Sequence, residues 1–524
     1  MEGLLLIAVL GTTVLVGTTI GGRYRVAPPV LLIALGALIG LLPPFEHVSL
    51  PPGVVLALFL PAILYRESLV ISLHEIRANF AAITLLAVLL VLISTVAVSF
   101  TAQALGVAPA AAWVLGAVLA PTDAAAVAGL AKRMPRGILT TLRAESLVND
   151  GTALVVFSVT VGVIAGDAAP GALGLVGLFV GSAAAGIVAG VLVGLVVILI
   201  RRHIDDPMRE GGLSILTPVV AFLLAEWVHG SGVLAVVVAG LLISYAAPRV
   251  IRARSRIVAL AFWDLFTFML NGSLFVLLGT QVPRALMGIT SHGPRQAFGV
   301  AALIAVVVVL TRMAWLHLAI GSLQTIDRRA SRRGRRFNWR ERTVAGWAGY
   351  RGAVSLAAAL AVPVTTHAGA SVVDRDLIIF VTVTVIVLIM LVQGITLPVV
   401  ATWAGLAGDP AREDEVRQAQ IRATEAALRA LPEVAGNVGA SQDAVERLRV
   451  EYQDHLDDIR VAGDDETNQQ RDLSRRLRLA VLEVKRREIT RLRAVNEIDD
   501  TVLREVQSAL DIEEIRLLGP RTEE

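Results

Sequence analysis

Residues 140–165 read TTLRAESLVNDGTALVVFSVTVGVIA, an apolar stretch that nevertheless carries Glu145 and Asp150. A hydrocarbon core about 30 Å thick is crossed by roughly 20 helical residues, so this stretch is long enough to span it. Charge at that depth is expensive, and an intramembrane carboxylate reads by default as an ion or proton site. Outward from this stretch, residues 1–408 hold about thirteen such runs, over 4–20, 26–42, 51–65, 80–105, 110–131, 140–165, 171–201, 213–228, 232–248, 256–281, 296–323, 343–367 and 376–405. They are continuous and rich in Leu, Ala, Val and Gly, which predicts helices; a transmembrane barrel would need short alternating strands. The expected fold is an all-α polytopic membrane protein.

Composition agrees: 55% of the 524 residues are hydrophobic, 17% are charged and the mean hydropathy is +0.70, far from soluble globular domains. Met1-Glu2-Gly3 offers no basic leader, so residues 1–20 are read as the first helix and not as a signal peptide. With no cysteine, disulfides, thiolate metal ligands and Cys nucleophiles are excluded. The net charge of +3 comes from basic residues gathered in alternate loops: Arg23 and Arg25, Arg66 and Arg77, Lys132 to Arg136, Arg201 to Arg209, Arg249 to Arg256, and Arg328 to Arg342. The intervening loops hold only Arg284, Arg295 and Arg375. The positive-inside rule then predicts an external N-terminus and a cytoplasmic C-terminus. Anionic lipid, not nucleic acid, is the expected neighbour of the basic loops.

Hydrophobicity collapses after Trp403, which divides the chain into a transmembrane domain at 1–408 and a cytoplasmic helical domain at 409–524. In the latter, segments 411–431, 443–461 and 471–494 show helical spacing of apolar residues amid dense charge, as at Leu473, Leu477, Val481 and Val484. Without a nucleotide or metal signature, the simpler reading is an appendage for dimer contacts or stability, ahead of a regulatory sensor.

Two spans are suited to interruption: Ala120-Pro121-Thr122-Asp123 in the fifth and Gly349-Tyr350-Arg351-Gly352 in the twelfth. Proline removes a backbone donor and glycine adds freedom, and paired broken helices in corresponding halves point to a secondary transporter's binding site. They correspond if spans 1–6 and 8–13 form two inverted repeats with span 7 between them. At about 1.5 Å per residue, Asp150, Asp123 and Arg351 each sit about 13–15 Å inside the membrane, at one depth on three segments.

On the sixth span Ser146 and Asp150 are spaced i, i+4, as are Glu145 and Asn149, so two polar pairs lie on adjacent strips of one face. One strip offers a carboxylate and a hydroxyl, hard ligands for a dehydrated alkali cation. The other offers Glu145 to a buried cation such as Arg351, since an unpaired arginine there would be costly. At Asp150 desolvation favours the protonated carboxyl and an arriving cation favours the ionised one, so the two compete for one oxygen. Competition at a site open to one side at a time is exchange. Asp123 reads either as a ligand or as a helix-start cap. Asp264, Asn271 and Arg312 read as helix-bracing polar residues, and Arg66 and Glu67 as interfacial.

Together with Gly230-Ser231-Gly232-Val233-Leu234-Ala235, Phe262-Trp263-Asp264 with Asn271, Ala353-Val354-Ser355-Leu356 after Gly352, and Gln393-Gly394-Ile395-Thr396-Leu397-Pro398, these motifs resemble the monovalent cation:proton antiporters of the bacterial NhaP-like and Na⁺/H⁺ exchanger branch. The resemblance covers most of residues 1–405. It implies a homodimer in a bacterial inner membrane, with a core subdomain of crossed, unwound helices moving elevator-fashion against a dimerisation subdomain. Its expected roles are Na⁺/H⁺ exchange and pH homeostasis, with Na⁺ and H⁺, and Li⁺ or K⁺ as further candidates, as transported ions and no cofactor. It assigns cation and proton binding to Asp150, with Ser146, Thr122 and Asp123 contributing, pairs Glu145 with Arg351, and places Asn149 against the unwound segment near Thr122. The Asn149-Asp150 pair implies electroneutral exchange. One departure is that Arg66 falls where many relatives carry an acidic ligand on the third helix. Within transport the alternative is a K⁺/H⁺ antiporter. A gated cation channel ranks lower because no carbonyl filter sequence is visible, and an enzyme lower still, because no HExxH, GxSxG or P-loop motif stands in a usable context.

Overall fold

The computed structural model describes residues 2–24, 27–43, 57, 59–71, 73, 76, 83–123, 136–168, 171–204, 206–289, 293–320, 338–405, 410–460, 465–495, 497 and 500–518. It is almost wholly helical. In chain order the helices are α1 (Glu2–Tyr24), α2 (Pro28–Gly40), α3 (Leu60–Val70), α4 (Leu90–Ala104, entered through a π-helical turn at Leu85–Leu89), α5 (Pro109–Leu119), α6 (Arg136–Ala165), α7 (Ala172–Arg201), α8 (Pro207–Trp227), α9 (Gly232–Val250), α10 (Ala253–Met287), α11 (Pro294–Trp315), α12 (Trp339–Trp347), α13 (Ala353–Ala361), α14 (Arg375–Trp403), α15 (Pro410–Val438), α16 (Gln442–Arg460), α17 (Asp465–Ala494) and α18 (Asp500–Leu518). They form two compact units, residues 1–407 and 408–524.

Among the described residues, nine helices are long and apolar enough to cross a membrane, and α2 and α5 are shorter apolar helices. The difference from thirteen spans has specific causes. The twelfth span is two helices, α12 and α13, with residues 348–352 non-helical between them. The fifth ends as a helix at Leu119, continues non-helically through Asp123, and its remainder, 124–131, lies outside the described residues. Of the third, 51–56 and 58 lie outside the described residues, and its described helix continues past the apolar limit at 65 to Val70, with Arg66 bonded to Asp264 and Glu67 lining the pocket.

The membrane unit has two main hydrophobic cores. One gathers side chains from α4, α5, α6, α11, α12, α13 and α14 together with parts of α1, α2 and α10. The other is built from α3, α7, α8 and α9, with Trp263 of α10 and Leu147 of α6. In lipid, helices gain little from burying apolar surface, so close backbone approach through small residues matters more. Helix α7 carries Gly186, Gly190 and Gly194 at four-residue spacing against α9. A Cβ on Gly186 would stand 2.5 Å from the Ser231 carbonyl oxygen, and one on Gly190 2.5 Å from that of Ala235. Helices α2 and α10 meet in the same way, with Gly36 against Val276 and Gly279.

The second unit holds two hairpins. Arg460 of α16 donates to Glu425 of α15 at 2.7 Å, while Lys485 of α17 meets Glu513 of α18 at 3.1 Å and Arg486 pairs with Asp511 and Glu514. Leu482 and Leu510 are buried there, whereas Leu473, Leu477, Val481 and Val484 are exposed. Helix α18 went unread as a helix in the sequence.

Because the α7–α9 contact is backbone against backbone, Gly190→Val is expected to destabilise the protein by about 1–3 kcal/mol or more. A lowered melting temperature of the detergent-purified variant checks this, and an unchanged one contradicts the close packing.

Candidate cation-binding site

Proline at 121 cannot donate a helical hydrogen bond, and the chain leaves α5 at Ala120 and runs non-helically through Asp123. It runs there against the break between α12 and α13, where the Asp123 amide donates to the Tyr350 carbonyl at 3.0 Å. The two unwound segments therefore cross. Each half-helix end in this crossing exposes backbone groups that lipid cannot satisfy. Arg351, 1% exposed, answers two of them by donating from Nε to the Leu119 carbonyl at 2.8 Å and from Nη1 to the Gly349 carbonyl at 2.6 Å. Its positive charge thus lies at the carbonyl-rich end of α5, where the helix dipole favours a cation.

The outer ends of the half-helices are treated alike. Asp374 Oδ2 accepts from the Ala108 amide at 2.9 Å at the start of α5, and Arg375 Nε donates to the Val362 carbonyl at 2.8 Å at the end of α13. At the start of α13 the Asp123 carboxylate lies so close to Gly352 that a Cβ there would be 1.9 Å from Oδ2.

Glu145 is fully buried, but its arginine is not Arg351. Arg312 of α11 grips it in a two-pronged pair, Nη1 to Oε1 and Nη2 to Oε2, the latter at 2.9 Å. Arg351 has both Glu145 and Arg312 as charged neighbours, yet its hydrogen bonds go to backbone carbonyls. The expected Glu145–Arg351 pair is therefore corrected to Glu145–Arg312, because the orphan carbonyls at the crossing claim Arg351. A relay extends from the pair: Thr122 Oγ1 donates to Glu145 Oε1 at 3.1 Å, and Asn149 Nδ2 donates to Thr122 Oγ1 at 2.7 Å. Asn149 thus reaches the unwound segment, and the Thr122 hydroxyl is engaged on both sides.

Ser146 and Asp150, each 6% exposed, face a pocket instead. Its walls are Pro121, Thr122 and Asp123 from the first unwound segment, Gly352, Val354 and Ser355 from the second, Asn271 and Leu274 of α10, and Phe59, Leu60, Ile63, Leu64 and Glu67 from α3 and its approach. Among the described residues, the charges bearing on Asp150 are Asp123 and Glu67, both acidic. Among the described residues no three acidic or histidine side chains converge tightly enough to hold a metal ion. Asp123, Asp150 and Glu67 share this cavity.

Glu67 went unrecognised in the sequence because the third span appeared to stop at Tyr65. A signal was present: Leu60, Ile63, Leu64 and Glu67 are spaced i, i+3, i+4 and i+7, one helical face, and all line the pocket. The acidic residue on the third helix is Glu67, one position beyond Arg66. Arg66 is not merely interfacial, since it donates from Nε and Nη2 to Asp264 Oδ1 at 2.9 and 2.6 Å and ties α3 to α10. Asp264 and Arg312 do brace helices, whereas Asn271 belongs to the pocket.

A sequence model of the sodium/hydrogen exchanger transmembrane family matches residues 9–403. The chain belongs to the sodium/hydrogen exchanger family. This exchanger is 51% identical over 524 residues to an uncharacterised Na⁺/H⁺ exchanger of Mycobacterium tuberculosis, a match spanning 99% of this chain and 97% of that one. It is 30% identical to a Na⁺/H⁺ antiporter of Aphanothece halophytica over 397 residues, 75% of this chain and 73% of the relative. The solved sodium proton antiporter of Methanocaldococcus jannaschii shares its fold, with a TM-score of 0.58 and 21% identity over 77% of this chain and 98% of that one. The exchanger is thus a multi-pass membrane transporter and not an enzyme.

Breaking a buried ion pair on one side costs about 3–5 kcal/mol. Arg312→Gln or Glu145→Gln is expected to lose folded protein or melt much lower, as measured by fluorescence-detected size exclusion and thermal unfolding. Near-native melting of both variants would overturn the bracing role.

Proposed function

We propose that the chain is an antiporter exchanging Na⁺ for H⁺ at Asp150, in a bacterial inner membrane with its C-terminal unit in the cytoplasm. The observation that carries this reading is a buried carboxylate facing a pocket beside two unwound helices, with Asp123 and Glu67 as its charged neighbours among the described residues. A group so placed must take up a proton or a metal cation, because an uncompensated anion there is costly. Ser146 Oγ, the Thr122 backbone carbonyl, the Asp123 and Glu67 carboxylates and the Asn271 and Ser355 side chains offer further hard oxygens that a dehydrated alkali cation could use. The Glu145–Arg312 pair, Asn149 and Arg351 hold the crossing in shape without binding cargo.

The two hydrophobic cores suggest the motion. The pocket lies between α3, which packs in the second core, and α6 and α13, which contribute to the first, so sliding the helices that carry the unwound segments past α3 would carry Asp150 from one side of the membrane to the other. This is elevator-like alternating access, with the second core as the dimerisation scaffold of a homodimer. Asn149, a neutral amide bonded to Thr122, leaves one exchanging carboxylate on α6 and so one-for-one stoichiometry.

Sealed vesicles with Na⁺, Li⁺ or K⁺ added in turn test the reading. Na⁺-driven proton flux that Asp150→Asn reduces at least about hundredfold, with normal expression, is the expected result, in line with loss of an essential group. Full activity in that variant would sink the assignment. Flux driven by K⁺ alone would make the protein a K⁺/H⁺ antiporter, and cation flux without proton movement would make it a channel. Electroneutral exchange predicts an initial rate that does not change when a membrane potential is imposed on the same vesicles; a rate that follows the potential's sign would exclude one-for-one exchange.

A further inference from the structure

Helix α17 has two apolar sides. Leu482, 3% exposed, marks one, and from that side Arg486 pairs with Asp511 and Glu514 of α18. At about 100° of turn per residue, Leu473, Leu477, Val481 and Val484 fall within about 80° of one another on the far side of the helix from Leu482. They are 69, 65, 49 and 61% exposed, so the described residues leave this stripe open. Basic residues border it on both rims, Arg478 and Lys485 on one and Arg476 and Arg487 on the other. Arg478 is exposed and forms no ion pair among the described residues. Arg487 stands 3.6 Å from Glu483 in an exposed pair of little strength, and Glu488 beside the stripe is held by Arg491 at 2.7 Å.

We propose that this stripe docks the C-terminal unit onto an anionic membrane surface, with its apolar side chains at the boundary of headgroups and acyl chains and its rim arginines among the lipid phosphates. An apolar stripe edged with Arg and Lys on an otherwise strongly charged helix is the pattern of helices that lie in a membrane interface. Charge favours this occupant over a second copy of the chain. The acids of α18 suited to meet a basic face, Asp511, Glu513 and Glu514, are already engaged by α17 of their own chain. Those same pairs hold α18 on the side of α17 away from the stripe, so docking turns the acidic helix away from the lipid phosphates. The unit is also covalently attached to a membrane-crossing helix, since α14 ends at Trp403 and α15 begins at Pro410. Docking then depends on headgroup charge and ionic strength, whatever cation the membrane unit exchanges.

Because the chain has no cysteine, a single introduced one reports on a single place. In the full-length protein, Val484→Cys carries an environment-sensitive fluorophore, and Thr490→Cys, exposed on another side of α17, is the control. Each is reconstituted into vesicles of phosphatidylcholine alone or mixed with phosphatidylglycerol. The label at 484 is expected to enter an apolar environment only in the mixed vesicles, while the label at 490 stays aqueous in both. Salt at about 1 M, where charges are screened within about 3 Å, should return the label at 484 to water. Arg478→Gln is expected to lower the docked-to-undocked ratio by about fivefold, the effect of one basic residue near an anionic surface, and Leu477→Asp to abolish docking. A label at 484 that stays aqueous in both kinds of vesicle overturns the proposal. So does one buried equally in detergent micelles and neutral vesicles and indifferent to Arg478→Gln, which would put a second copy or another part of the chain on the stripe. If Val484→Cys does not fold, Leu473→Cys takes its place, and failure of both to fold overturns the proposal as well, because an open stripe tolerates either change.

Discussion

A backbone carbonyl or amide left bare in hydrocarbon costs several kcal/mol, and this membrane unit contains two helices deliberately broken there. The residues at the crossing of 120–123 and 349–352 answer the ends so created, and the outer ends of α5 and α13 are answered the same way. Arg351 sits at the Leu119 carbonyl and the Asp123 carboxylate lies against the glycine that opens α13, while Asp374 takes the Ala108 amide at the outer start of α5 and Arg375 the Val362 carbonyl at the outer end of α13. Acid at the beginnings and arginine at the ends is the polarity that the helix dipole favours. Continuous helices would have no such needs, but they would also leave no exposed backbone oxygen at membrane depth for an alkali cation.

This constraint divides the charged residues into two groups. Glu145, Arg312, Arg351 and the Thr122 hydroxyl are bonded within the protein, and the Asn149 amide nitrogen is spent on Thr122. Asp150 and Glu67 line the cavity, and the charged neighbours of Asp150 among the described residues are acidic. Two carboxylates five residues apart on one helix thus have opposite fates, decided by which side of α6 meets α11 and which meets the pocket. A satisfied carboxylate braces the fold; one left facing like charge has chemistry to do.

How much of this was legible in the sequence follows the physics of each feature. Apolar length and the i, i+4 polar pairs gave the fold class and singled out Ser146 and Asp150, because both depend on local spacing. Pro121 and Gly349 marked the breaks, because they act on their own backbone. The partner of Glu145 was not legible: Arg312 is 167 residues away, and choosing between two buried arginines requires knowing that orphan carbonyls occupy one of them. Glu67 escaped for the opposite reason, since an apolar-run criterion stops at charge even when the helix carries that charge inward.

An exchange site cannot be as well satisfied as the network beside it. If the protein supplied Asp150 with a firm cationic partner, neither proton nor metal ion would be needed there, and the pocket would be another brace like Glu145–Arg312. If it supplied nothing at all, the anion would stay protonated or hold its cation too long to turn over. The arrangement found lies between these limits: Glu67 on α3 and Asp123 on the unwound segment draw a cation in, while Arg66, next to Glu67, is taken up by Asp264. The crossing supplies rigidity and the pocket supplies deficiency, and exchange requires both at the same depth in the membrane.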